Sequence, residues 1–466
     1  MKKIAIICLV LILLFCTMPV SVLASEDLSV TTGCHSLDGQ VPFLGTAQLV
    51  SNTNAALLYE TNTDTLLYAY NADAQVQPSS LLKIMTALIA IEKGSMTDVV
   101  TVREEVLDTL PPDAAVAGLQ VDEVLTVKDL LYCMMVVSGN DAAVVLADHI
   151  LGDQQAFVEE MNRYAAELGC TGTNFTNVHG IHNNNQFTTA RDVARILKKA
   201  MENEQFREVF SAKNYDMPAT NKSEARRLVT QNYLINNDKI AYYDPRVIGG
   251  RTAVNNDRSR SIATFAQQDD MDVICVVIGA KSQFEKDGYT EKVHGGYDET
   301  KQLFDLAFNG NRTAQILYPN QVVAQKTVLN GNCDVSVGAR DGAFSVIAEN
   351  LDPNALSFRF MNEIPLTAPI EIGQKLADLQ VWYGSVCLIQ TDAYAMNSVP
   401  IAGTAFEDNK DHKKDIGVMG TVLLIIGGIT VVGLGAFATL YVLRVSRIAK
   451  VKRQSRRNGR NRRRSR

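Results

Sequence analysis

Ser80 and Lys83 stand one helical turn apart in the stretch Gln77-Pro78-Ser79-Ser80-Leu81-Leu82-Lys83-Ile84-Met85-Thr86. At this spacing a hydroxyl and an amine share one helical face. Pro78 and Ser79 mark a helix start and Gly94 its stop. Between them Leu81, Leu82, Ile84, Met85, Ala87, Leu88, Ile89, Ala90 and Ile91 make the helix apolar nearly all round, the pattern of a buried helix. Desolvation lowers a lysine's pKa, so a neutral amine here could take the serine's proton and activate it as a nucleophile. The competing reading is a capping serine beside a lysine that snorkels to solvent. An S-x-x-K spacing arises by chance about once or twice in a chain of this length, so the surroundings must decide.

Two further stretches carry comparable groups. Ser138-Gly139-Asn140 falls in a turn between two apolar helices, placing a hydroxyl and an amide where water is scarce. Its alternative reading is that both side chains cap helices. Val247-Ile248-Gly249-Gly250-Arg251-Thr252-Ala253-Val254 reads as a glycine-preceded strand edge. Arg251 there could grip a carboxylate bidentately, or be an exposed strand arginine.

The elements that must position these groups follow from periodicity. A hairpin pattern opens the region, with residues 55–59 and 66–70 flanking a polar turn, and two strand-like runs, 262–266 and 272–279, close it. Helical patterns fill the middle at 127–137, 141–151, 155–168 and 190–204. Strands at both ends of a helical centre imply an α+β domain whose sheet pairs its terminal segments. From residue 315 to about 396, short runs broken by Asn330-Gly331-Asn332 and Asp341-Gly342 read as a small all-β module.

In this order the three stretches resemble the S-x-x-K, S-x-N and K-T-G motifs of low-molecular-mass penicillin-binding proteins, specifically the serine-type D-alanyl-D-alanine carboxypeptidases. Asn177-Val178-His179-Gly180, Thr189-Ala190-Arg191-Asp192, residues 274–280 and Ala368-Pro369-Ile370-Glu371-Ile372-Gly373-Gln374-Lys375 are similar to family segments as well. The resemblance implies a penicillin-binding or serine β-lactamase-like transpeptidase domain at 45–310, followed by a β-rich domain at 315–400. It implies Ser80 as acylated nucleophile, Lys83 as its general base and Ser138 as proton shuttle to the leaving group. Asn140 would hydrogen-bond the substrate peptide, Arg251 with Thr252 would bind its terminal carboxylate, and the N–H groups of Ser80 and Val254 would form the oxyanion hole. The expected substrates are peptidoglycan stem peptides, with β-lactams as covalent inhibitors and no cofactor. The chain departs from the motif at Arg251-Thr252-Ala253: arginine replaces lysine, and Ala253 brings a Cβ where the family has glycine. That departure raises the alternative of a degenerate homologue that binds or scaffolds cell wall without turnover.

Other chemistry finds little support. His179-x-x-His182 lacks a third ligand, so no metal is expected. There is no glycine-rich phosphate loop and no E-x-x-L-N stretch of a class A β-lactamase.

The chain ends speak to location. Met1-Lys2-Lys3, an apolar run over 4–15 and Val22-Leu23-Ala24 read as a signal peptide over 1–24. Residues 416–443 carry no charge and are long enough to span a bilayer, after a polar linker at 401–415. The tail, 444–466, holds twelve Lys or Arg and no acid, which places it in the cytoplasm and the catalytic domain outside. Setting aside those twelve and the signal peptide's two lysines, the chain's net charge of −6 becomes −20 for the exported part. So acidic a surface argues against nucleic acid and other anionic polymers as partners. Six cysteines remain after cleavage; Cys133 and Cys275 lie in apolar runs and read as buried thiols, and Cys333 with Cys387 is one conceivable pair.

Overall fold

The computed structural model describes residues 35–39, 43–44, 53–238, 241–255, 257–286 and 291–403. The expected signal peptide, the span at 416–443 and the basic tail lie outside the described residues. Among those described, no helix is long and apolar enough to cross a membrane.

The opening hairpin forms as β1 (Ala55–Glu60) and β2 (Thr65–Tyr70). The glycine-preceded stretch is β3 (Val247–Val254), and the closing runs are β4 (Ser259–Gln268) and β5 (Met271–Lys281). They join in one antiparallel sheet of order β2-β1-β5-β4-β3. The terminal segments do pair: β1 lies on β5 with Ala55 opposite Ile278 and Glu60 opposite Val273. All six residues of β1 are buried because the strand's period of two splits them between two cores. Ala55, Leu57 and Tyr59 face the helical layer, whereas Ala56 and Leu58 face the opposite side.

The helical layer comprises α1 (Lys83–Lys93), α2 (Val127–Val136), α3 (Asn140–Leu151), α4 (Gln154–Glu167), α5 (Ala190–Met201) and α6 (Glu204–Phe210). The predicted run 190–204 thus ends at Met201, and Asn203 starts a new helix by accepting from Phe206 N. Thr126 and Asp129 form a reciprocal capping box that starts α2. Gly94 ends α1 where a Cβ would fall 2.3 Å from Ile150 Cδ1. The other face of the sheet is covered by α7 (Tyr297–Phe308), whose Tyr297, Phe304 and Phe308 join Leu58, Cys275 and Val277 in a second core.

Residues 311–399 form the β module, with its own hydrophobic cluster around Leu317, Val337, Leu379, Ile389 and Ala393. Val346, from the module, packs into the second core of the sheet domain. Cys133, Cys170 and Cys275 are buried free thiols. The pairing of Cys333 with Cys387 does not form: Cys333 is an exposed free thiol, while Cys387 is disulfide-bonded elsewhere.

Candidate active site

The sequence places a helix start at Pro78 and Ser79, but the α-helix begins at Lys83, after a 3₁₀ turn over Ser79–Leu82. The reason is local. Ser79 adopts the left-handed region at φ 45°, which costs about 1–3 kcal/mol for a non-glycine residue. Its hydroxyl bonds Asn255 Oδ1 at 2.7 Å, and Gly180 packs so closely that a Cβ there would meet Ser79 O at 2.2 Å. Held from both sides, the turn lifts Ser80 onto the surface of a cleft and leaves Lys83 behind it.

Lys83 has no solvent exposure, so the snorkelling alternative does not occur. Its Nζ lies 3.3 Å from Ser80 Oγ, 3.4 Å from Ser138 Oγ, 3.3 Å from Ser138 O and 2.5 Å from Asn140 Oδ1. Ser138 Oγ is in turn 3.3 Å from Ser80 Oγ. Neither Ser138 nor Asn140 caps a helix; the N-cap of α3 is Gly139, with no side-chain bond. Like Ser79, Ser138 sits in the left-handed region, at φ 66°. Burial holds the Lys83 pKa well below its ordinary value, helped by the Arg251 cation and opposed by Asp141.

Arg251 is buried, not exposed. Its Nε donates to Ser80 O at 3.3 Å, Nη1 to Met135 O at 2.9 Å and Nη2 to Ser138 Oγ. Met135 lies in the last turn of α2, where carbonyls point outward and favour a cation. Burial pushes the guanidinium pKa down to about 10, which still leaves a cation at neutral pH. Thus all three nitrogens of the fork have partners within the protein. Thr252 points the other way, to the face on which its cross-strand partner Ile262 joins the second core. The structure therefore gathers Ser80, Lys83, Ser138, Asn140 and Arg251 into one contact network and leaves the Thr252 hydroxyl outside it.

Ala253 turns its methyl into the core shared with Leu81 and Leu82, at 4 % exposure. It does not project into the cleft. Asn255 N donates to Ser259 O, so the alternation of an antiparallel ladder turns the Val254 N–H to the open edge of β3. That edge, together with Ser80, Asn140, His179 and Ala115, lines a cleft of about 810 Å³. A larger groove of about 1050 Å³, between the β1–β2 turn and the β module, contains none of these groups.

Four contributors escape a reading of spacing alone. His179 reaches the cleft, and burial with the nearby Lys83 brings its pKa down to about 4. Gly180, Asn255 and the Met135 carbonyl fix the backbone around Ser80 and Arg251. The family-like segment Asn177-Val178-His179-Gly180 is the local signal for His179 and Gly180; Asn255 and the Met135 carbonyl have none.

The D-alanyl-D-alanine carboxypeptidase family matches residues 45–282, and the C-terminal domain of penicillin-binding protein 5 matches residues 312–400. The chain belongs to the D-alanyl-D-alanine carboxypeptidase family and is a serine-type carboxypeptidase. It is 27 % identical over 368 residues to D-alanyl-D-alanine carboxypeptidase DacF of Bacillus subtilis, covering 77 % of this chain and 88 % of that one. With D-alanyl-D-alanine carboxypeptidase DacC of Escherichia coli it shares 28 % over 344 residues, 72 % and 80 % of the two chains. Penicillin binding protein 5 from Haemophilus influenzae superposes with a TM-score of 0.59 at 27 % identity, covering 75 % of this chain and 98 % of that one. D-alanyl-D-alanine carboxypeptidase DacD from Francisella tularensis shares the fold, with a TM-score of 0.63 at 20 % identity and coverage of 78 % and 98 %.

Proposed function

We propose that this protein removes the terminal D-alanine from peptidoglycan stem peptides ending in D-Ala-D-Ala, through an acyl-serine intermediate formed on Ser80. The observation that carries the reading is the buried Lys83 amine, 3.3 Å from Ser80 Oγ and 3.4 Å from Ser138 Oγ. A neutral amine there takes the Ser80 proton as Oγ attacks the penultimate carbonyl. The N–H groups of Ser80 and Val254 receive the oxyanion that develops. Ser138 relays a proton to the departing D-alanine amine, and Asn140 steadies both Lys83 and the peptide. Water then cleaves the acyl-serine: neutral Lys83 takes the water's proton as its oxygen attacks the acyl carbon, and hands that proton to Ser80 Oγ as the ester bond breaks. Arg251 acts from behind: it holds the Ser138 hydroxyl in line and adds positive potential where the substrate carboxylate arrives. β-Lactams acylate the same serine. An N-terminal signal peptide and a C-terminal span with a cytoplasmic basic tail put this chemistry outside the cell membrane.

The direct test is release of D-alanine from a D-Ala-D-Ala peptide by the purified protein, with fluorescent penicillin as covalent label. Ser80→Ala abolishes both label and release; a label that survives Ser80→Ala defeats the assignment. The reading as a non-catalytic scaffold is not favoured, because the Ala253 methyl is accommodated in the core and leaves the Val254 N–H on the open edge.

A further inference from the structure

The wall of the cleft across from β3 is the loop 111–119, which has neither helix nor strand and contributes Pro111, Asp113, Ala114 and Ala115 to the lining. One side chain holds it. Asp141 is 2 % exposed, and its carboxylate accepts from Ala117 N at 2.8 Å, Gly118 N at 2.9 Å and Leu119 N at 3.0 Å, besides Ala142 N of its own helix at 2.9 Å. Asn140 N reaches back to Ala115 O at 2.9 Å. Gly139 completes the joint: a Cβ there would fall 2.8 Å from Ala117 Cβ and 2.7 Å from Asp141 Oδ1.

We propose that Asp141 is a positioning residue for acyl transfer, fixing the 111–119 loop as the cleft wall and supplying the negative field in which Lys83 accepts its proton. The inference rests on Lys83 serving as the base of the reaction proposed above. A carboxylate whose bonds all come from neutral N–H groups keeps its charge for neighbours beyond them. The charged or titratable groups around Lys83 are Arg251 from β3, which shares Ser138 Oγ with it, Asp141 from α3, next to the Asn140 whose Oδ1 lies 2.5 Å from Nζ, and His179 from the segment before α5. When Lys83 takes the Ser80 proton, an ammonium forms close to the Arg251 cation, and Asp141 is the anion that offsets the repulsion. Without it the amine is a weaker base, and the pH at which it becomes protonated falls.

The experiment is Asp141→Asn, an amide that keeps one acceptor oxygen but turns an NH₂ toward backbone N–H donors. Acylation by benzylpenicillin is followed against pH, and D-alanine release is resolved into kcat and KM. The expected result is acylation slower by about tenfold or more, with its acid limb moved to lower pH by about one and KM raised. Wild-type rates overturn the proposal, as does a slowed rate with the acid limb unmoved, which would mark a purely structural role. Should Asp141→Asn fail to fold, Gly139→Ala crowds Ala117 and Asp141 Oδ1, displacing the loop while the carboxylate's charge remains. It should raise KM for the peptide while the acid limb stays, and an unchanged KM overturns the proposal. Wild-type protein that benzylpenicillin does not acylate would instead indict the proposed reaction itself.

Discussion

At Lys83 the cost of burial and the proposed chemistry have one cause. An amine with no exposure, touching Asn140 Oδ1 at 2.5 Å, is kept less basic than a surface lysine and so is available to take a proton. Arg251 is one of the two positions, with Ala253, at which the chain departs from the K-T-G motif expected from the family resemblance. Its three nitrogens meet Ser80 O, Met135 O and Ser138 Oγ one each, a spread that a lysine's single nitrogen does not reproduce. Arg251→Lys should therefore keep penicillin acylation within about tenfold while losing about 1–3 kcal/mol of stability in urea unfolding. An unchanged unfolding midpoint would show that the Met135 bond contributes nothing. The types and spacing of Ser80, Lys83, Ser138 and Asn140 were legible in the sequence. The orientations of Arg251 and Thr252 were not, because which face of a strand meets which core depends on what packs there.

At the scale of elements, the site is a joint between helix starts and an open strand edge. The turn at Ser79 is the part that periodicity misjudged, since a helix start at Pro78 gives way to a 3₁₀ turn under the pull of Asn255 and the close approach of Gly180. Both of those residues lie about a hundred positions or more away in sequence, beyond the reach of local pattern. Gly180 has φ 91°, and an added Cβ would sit 2.2 Å from Ser79 O and 2.9 Å from Ser80 N. Backbone cannot swing aside as a side chain can. Gly180→Ala is expected to lower stability by about 1–3 kcal/mol and to slow penicillin acylation by about tenfold or more. Normal acylation by a folded Gly180→Ala protein would disprove that the Gly180 contact positions Ser80.

At the scale of the molecule, two hydrophobic cores sandwich the sheet, and the cleft opens where the helical core meets the edge strand. The same burial makes the protein sensitive to acid. His179 has a folded pKa of about 4 against an ordinary 6.5, with burial the first cause and Lys83 the second. The unfolded chain binds this proton first, so stability falls as pH drops from 6.5 toward 4, by an amount on the order of 3 kcal/mol. Urea midpoints at neutral and mildly acidic pH should show the decline in wild type and a shallower one in His179→Gln. Equal slopes would remove His179 from the account.

The sequence by itself determined the class of chemistry and the order of the elements. An apolar helix carrying a lysine beside a serine, a polar turn between two apolar helices, and strands at both ends of the domain are all encoded within short windows. Tertiary structure alone decided that the Arg251 fork turns inward, that Thr252 turns to the second core's face, that Ala253 is harmless in the core and that one carboxylate, Asp141, ties a loop to the Ser138–Asn140 turn. Each of those outcomes depends on partners distant in sequence, and a side chain's environment exists only once the chain has brought them together.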